Sequence, residues 1–282
     1  MNTRRGSDSL EKRVVLSILT KETKVTKEPR YRIAVMSAGG PYAWTITNAL
    51  GDRFGSIDVI LEESESRASF LKRRARIIGW PSTGGQFVTM MLLRLLKAMT
   101  VSRSNSIVTQ YGLRLGLDTD HQVFRTSSVN SPDCLELLGR LRPQVVLLVG
   151  CRLLNRQTLA AIQCPVINYH AGITPKYRGM NGGYFAQASG DLENFGATVH
   201  LVDAGIDTGE VLYQVRIKPE ANDNISTYPL LLAAISRDIC VAAVADALNQ
   251  RLQPIAIDLP SRQWFHPTIW SYLWIGLTKG VW

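Results

Sequence analysis

No two of the four cysteines, Cys134, Cys151, Cys164 and Cys240, form a C-x-x-C pair, and no Cys/His metal spacing is present. That excludes a zinc ribbon, a thioredoxin-like redox pair and a disulfide framework as organising features, so reduced thiols and no metal are expected. No uninterrupted apolar run approaches the roughly 18 residues of a membrane-spanning helix. The apolar stretch at residues 14–19 is too short for a signal-peptide core and is followed by Lys21. A cytoplasmic location is the resulting expectation. Internal repeats and low-complexity linkers are also missing, which excludes solenoids and arrays. Acidic residues are absent from one long stretch: residues 67–103 hold eight Lys and Arg and no Asp or Glu. The first thirty residues add eight bases against four acids, so the remainder is slightly acidic although the chain carries a net charge of +9. Charge so localised argues against a nucleic-acid stripe and for a solvated face or a patch for phosphate or a membrane surface.

What is present suits a folded α/β chain. Hydrophobic residues make up 45% of 282 positions, enough for one large core with a modest appendage. The apolar run at residues 32–36 enters Ser37-Ala38-Gly39-Gly40, and a helix-compatible stretch opens after Pro41. Strand, glycine turn and helix start form the first unit of an open parallel sheet. Further strands are expected at residues 57–61, 145–149 and 166–170, followed by alternating strands at 197–202 and 211–217, the last antiparallel at the far side of the sheet. Helices are expected at 66–78, 84–100, 155–162 and 226–251. The 84–100 segment is apolar over more than one face, with Arg94 and Lys97 interrupting. Core or dimer packing is the first reading of it, and a membrane-surface helix the second. The tail carries Trp264, Trp270, Trp274 and Trp282 without an obvious domain of its own.

Two places carry candidate chemistry. Gly39 and Gly40, at a helix start, suit the approach of a phosphate, although the G-x-G-x-x-G spacing of a dinucleotide site is not met. Asn168 and His170 are two apart on a strand, so they share a face at its carboxyl end, where open α/β sheets bind ligands. The turn-rich loop holding Asp203 and Asp207 follows a later strand. An amide that donates to a developing oxyanion, an imidazole that moves protons and a carboxylate that orients it can together run acyl transfer. An isolated N-x-H would more simply be a strand cap.

The set is not isolated. Asn168-x-His170, Pro175-x-Tyr177-Arg178-Gly179, Gly196-Ala197-Thr198-Val199-His200 and Asp203-x-Gly205-Ile206-Asp207-Thr208-Gly209 closely resemble the folate-dependent formyltransferase family. That family includes sugar N-formyltransferases, methionyl-tRNA formyltransferase and glycinamide ribonucleotide formyltransferase. The resemblance is dense over residues 143–217, looser from residue 32, and does not reach 1–30 or the chain beyond about residue 225. It implies an open, mostly parallel Rossmann-like sheet flanked by helices, with a short C-terminal extension. It implies that Asn168, His170 and Asp207 are catalytic, that Arg152, Leu153, Leu154 and Asp203 bind 10-formyltetrahydrofolate, and that Gly39, Gly40, Tyr177 and Arg178 meet the substrate. Asp203 also reads as a turn former, and His200 reads as structural.

These implications set three expected parts: a basic arm at 1–30, a formyltransferase catalytic domain at 31–225, and a C-terminal helix and aromatic tail at 226–282. The initiator-tRNA enzymes carry a further C-terminal OB-like domain, for which the stretch after residue 225 is short, so no nucleic-acid partner is expected. The basic 67–103 segment and the Gly39-Gly40 turn fit the phosphates of a nucleotide-linked amino sugar. Another small amine (a purine precursor or an amino acid), hydrolysis of the formyl folate and a non-catalytic folate-binding role stand as alternatives. A homodimer is compatible with all of them.

Overall fold

A computed structural model of the chain describes residues 31–282, so the basic arm expected at 1–30 lies outside the described residues. Nine strands and nine α-helices are described. The chain opens with β1 (Ile33–Ser37), α1 (Pro41–Phe54), β2 (Asp58–Glu62), α2 (Arg67–Ile78) and α3 (Trp80–Leu95). A 3-10 turn (Leu96–Thr100) leads to α4 (Val101–Tyr111), β3 (Gln122–Thr126), α5 (Pro132–Leu141), β4 (Val145–Val149), α6 (Arg156–Ala161) and β5 (Val166–His170). The two-residue β6 (Arg178–Gly179) and α7 (Gly182–Ala188) precede β7 (Gly196–Leu201), β8 (Val211–Arg216), α8 (Tyr228–Leu248), β9 (Gln263–Trp264) and α9 (Ile269–Lys279).

Seven strands form one sheet in the order β3-β2-β1-β4-β5-β7-β8. The first five run parallel, and β7 and β8 are antiparallel additions at one edge. Strand alternation splits β1 between two cores. Ile33 and Val35 pack with Ala43, Ile46 and Leu50 of α1 and with Ala243 and Val244 of α8, while Ala34 and Met36 pack with Cys134, Leu137 and Leu138 of α5. Because β1 and β4 are neighbours from which the order runs outward both ways, a crevice opens at their carboxyl ends. The α/β expectation holds.

Three expectations change. Residues 226–282 were expected as an extension, but Leu231, Leu232 and Cys240 of α8 and Tyr272 of α9 belong to the same core as β1, and residues 31–282 form one compact unit. The tail also returns to the site, because β9 pairs with β6. The 84–100 segment is only in part a core helix: α3 buries Thr83, Gln86 and Thr89 and packs Leu92 and Leu93 against the core, but exposes Val88 and Leu95. Finally, the eight bases of residues 67–103 are not one patch. Arg103 is buried in an ion pair with Asp223 at 2.7 Å, Arg73 pairs with Glu65 at 2.8 Å, and Arg74 is buried.

Candidate active site

Register explains why the polar residues meet. Asn168 and His170 project from the same face of β5, and antiparallel pairing sets His200 of β7 directly opposite Asn168. Asp207 reaches them from the β7–β8 loop with φ at 50°, a left-handed conformation that costs a non-glycine residue energy and persists when its surroundings hold it. Here they do. One carboxylate oxygen of Asp207 accepts from the Gly179 N–H at 2.8 Å and lies 3.4 Å from His170 Nδ1. The other accepts from Asn168 Nδ2 at 3.2 Å and lies 3.5 Å from His200 Nε2.

The imidazole tautomers follow from their carbonyl partners, since a carbonyl can only accept. His170 Nε2–H donates to the Tyr177 carbonyl at 2.7 Å, which leaves Nδ1, the nitrogen facing Asp207, as the one that takes up or releases a proton. His200 Nδ1–H donates to the Leu201 carbonyl at 2.7 Å, so its Nε2 accepts from the Asn168 amide at 3.1 Å. Gly172 makes the His170 contact possible: a Cβ there would stand 2.8 Å from His170 Nε2 and 2.6 Å from the Tyr177 carbonyl oxygen. Burial by itself raises the pKa of the Asp207 carboxyl. The favourable field of the His170 imidazole and the hydrogen bond from the Gly179 N–H outweigh it and hold the group well below the usual carboxylate range. Asp207 is therefore a permanent anion at neutral pH.

This cluster forms the polar floor of a cavity of about 740 Å³. Leu148, Leu153, Leu154, Val202 and Ile206 supply an apolar wall, and Phe70, Trp264 and Phe265 line it as well. Cys151 also lines the cavity, but burial pushes its thiol well above the usual range, so it is no nucleophile at neutral pH.

The expected site residues fall into two groups. Asn168, His170 and Asp207 are brought together, and Arg152, Leu153, Leu154 and Asp203 do line the cavity. Their side chains differ in what they can offer a ligand. Leu153 is exposed and free to flank one. The Arg152 guanidinium donates to the Ser127 and Glu63 carbonyls at 3.1 and 2.6 Å and pairs with Glu62, so it ties loops together. Asp203 accepts from Gly205 N–H and Thr208 Oγ at 2.9 and 2.7 Å, closing its own turn.

The four residues expected to meet the substrate lie outside the lining. Gly39 spends its N–H on Ser37 Oγ at 2.9 Å, and only Ala38 of that turn reaches the cavity. Tyr177 is buried, donating to Asp191 at 2.8 Å. Arg178 donates to the Ile206 carbonyl at 2.8 Å and so holds the loop that carries Asp207. Gly39 and Gly40 were placed on the ligand as a helix start suited to phosphate, and Tyr177 and Arg178 by the family resemblance; the side chains of the latter two are hydrogen-bonded into the frame around the cavity.

Sequence reasoning also missed four residues. His200 is one, since strand alternation gave its face but not its neighbour across the sheet. Glu62, at the end of β2, accepts from the Arg152 N–H at 2.6 Å and positions the loop after β4. Arg74 and Phe265 come from segments far apart in sequence, with the guanidinium 5.2 Å from the Phe265 ring centroid. No local signal marked Phe265, and Arg74 was marked only as one of the bases in the acid-free stretch.

The family described as formyl transferase matches residues 96–244, more than half of the chain. A methionyl-tRNA formyltransferase from Finegoldia magna is 32% identical over 116 residues, covering 41% of this chain and 36% of that protein. The chain spans less than half the length of curated relatives of this kind. Among solved structures, a sugar N-formyltransferase from a Shewanella species superimposes with a TM-score of 0.52 at 15% identity, covering 82% of this chain and 75% of that one. Glycinamide ribonucleotide transformylase 1 from Symbiobacterium toebii gives a TM-score of 0.51 at 18% identity over 86% of this chain and 98% of its own. At such identities these two report the fold alone. The matched segment, however, contains Asn168, His170, His200 and Asp207, and by that match the chain belongs to the formyl transferase family.

Proposed function

We propose that the protein transfers a formyl group from 10-formyltetrahydrofolate to a primary amine, and that the amine belongs to a nucleotide-linked amino sugar. The observation that carries the reaction is the His170–Asp207–Asn168 cluster on the floor of the large cavity. A volume of about 740 Å³ suits a small-molecule site, and the apolar wall of Leu153, Leu154, Val202 and Ile206 suits a flat ring. When bound, the folate supplies the one-carbon acyl group. His170 Nδ1 takes the proton that the attacking amine loses and passes it to the folate nitrogen as the donor's carbon–nitrogen bond breaks and tetrahydrofolate leaves, while Asp207 stands opposite the charge that forms on the ring. Asn168 turns one of its N–H groups from Asp207 to the acyl oxygen, where negative charge develops. His200 anchors the other N–H, and the Gly179 N–H keeps Asp207 in place.

Arg74 supports the anionic acceptor. Its guanidinium is buried in the cavity wall, with one nitrogen on Met180 Sδ and Nε without a partner, and it has no carboxylate partner among the described residues. Burial lowers its pKa and the neighbouring Arg73 adds to that, yet a guanidinium stays charged. An uncompensated buried cation is costly, and a phosphate entering the cavity would relieve it. A charged tRNA is the second reading, favoured by the names of the methionyl-tRNA relatives.

The deciding assay follows tetrahydrofolate release in the presence of nucleotide-linked amino sugars, methionyl-tRNA or no amine. Release should depend on a sugar nucleotide. Turnover with tRNA alone selects the second reading, and equal release without any amine identifies a hydrolase.

A further inference from the structure

One outer face of the molecule carries two stripes of exposed apolar side chains. Along α3 the buried residues Thr83, Gln86 and Thr89 are polar, while Trp80, Val88 and Leu95, spaced to share one helical face, point to solvent. Met99 in the following turn continues the stripe. Trp80, Leu95 and Met99 are 64%, 77% and 79% exposed. Helix α9 is apolar on both sides: its Tyr272 and Ile275 pack into the core, and it exposes Trp270, Leu273, Trp274 and Leu277, the last two at 68% and 78%. The two stripes adjoin, because α9 seats Trp270 against Gly85 of α3, where an added Cβ would stand 2.5 Å from the indole. Single exposed apolar residues are ordinary, but two adjacent helices with apolar stripes outward mark a surface that something covers.

Charge identifies what covers it. No Asp or Glu occurs anywhere in residues 67–117 or in 269–279. Lys72 and Arg76 on the exposed side of α2 line a small cleft with Trp80, and Arg94 and Lys97 are exposed beside the stripe of α3, whereas Lys279 donates to the Ala188 carbonyl at 2.6 Å. A second copy of this chain packed twofold on the same face would set these cations against one another. Surface-seated indoles with flanking Lys and Arg are the composition that lies in a bilayer interface, apolar groups among the acyl chains and cations at the headgroups. Among the described residues, no helix is long and apolar enough to cross a membrane.

We infer that the α3–α9 face, flanked by Lys72, Arg76, Arg94 and Lys97, docks the protein on the surface of an anionic lipid membrane. The contact is peripheral and reversible. Its hydrophobic part is carried by Trp80, Leu95, Met99, Trp274 and Leu277, and its electrostatic part is screened by salt.

The test is co-sedimentation of the full chain with phosphatidylcholine vesicles, with and without a phosphatidylglycerol fraction. The protein should partition onto the anionic vesicles with a blue shift of tryptophan emission. Leu95→Glu with Leu277→Glu should abolish this, and Lys72→Gln with Arg76→Gln should weaken it about tenfold. All four positions lie away from the cavity lining, so turnover of a soluble acceptor should persist and show that each variant is folded. Equal binding to neutral vesicles, or undiminished binding by the Glu variant, overturns the proposal. So does a dimer, seen by sedimentation, that the Glu variant splits, because the face would then belong to a second copy.

Discussion

At the cavity floor, two imidazoles, an amide and a carboxylate lie within 3.5 Å of one another, shielded from solvent and held by hydrogen bonds. On the outer face of α3 and α9, the indoles of Trp80, Trp270 and Trp274 and the side chains of Val88, Leu95, Leu273 and Leu277 stand exposed, with nothing packed over them among the described residues. Both regions invert the usual rule of apolar inside and polar outside, but their costs are met differently. The buried polar cluster is satisfied within the fold, so it is rigid and ready for chemistry. The exposed apolar stripes have no internal partner, and only a second body can satisfy them. Helix α2 joins the two regions, with Arg74 turned into the cavity and Lys72 and Arg76 turned out.

The largest expected effects come from removing members of the interior cluster. His170→Asn and Asp207→Asn should each lower kcat by about two or more orders of magnitude, as loss of a proton-transfer or charge-stabilising group does. Steady-state formylation by variants whose circular dichroism matches the parent checks this, and near-normal turnover at either position would remove the cluster from the chemistry. A smaller effect is expected at Arg74, on the helix shared by both regions. Arg74→Met should raise KM for a phosphate-bearing acceptor about tenfold while folate affinity stays unchanged, since one charge-assisted contact is lost. Calorimetry of folate binding beside acceptor kinetics separates the two ligands. An equal loss for both would mean that Arg74 only supports the wall.

The smallest effect is on stability against acid. The folded pKa of Asp207 lies below its unfolded value of about 3.9, so the group stabilises the protein above that pH and loses its contribution as pH falls through the folded value. Asp207→Asn should therefore be less stable than the parent at neutral pH and lose less on acidification. Urea midpoints at pH 7 and near pH 3 report the difference, and parallel losses in both proteins would place the acid sensitivity elsewhere.

Much of the cavity floor could be read in advance because its signals are local. The aliphatic run at Val145–Val149 and the two-residue spacing of Asn168 and His170 specify a buried strand and a shared face whatever surrounds them. The length and period of residues 67–78 and of the helix beginning at Tyr228 were legible for the same reason. By contrast, β3 and α5 escaped notice: Gln122–Thr126 lies near the sheet edge with polar, exposed positions, and α5 is short. In α3 the apolar pattern was visible but its orientation was not. A helical period shows that one side is apolar, and it does not show which side faces the core.

By itself the amino-acid sequence determined the parallel α/β framework, the placing of Asn168 and His170 at a strand end, the loop carrying Asp207 and the acid-free basic stretch. Each of these depends on backbone period or on composition over a few residues. Only the tertiary structure decided that His200 stands against Asn168, that Arg103 is consumed by Asp223 across 120 residues of chain, and that Arg178 donates to the loop carrying Asp207. It alone turned apolar side chains of α3 and α9 outward. Those outcomes depend on cross-strand register and on which surface reaches the core first, and such long-range contacts leave no period in the chain.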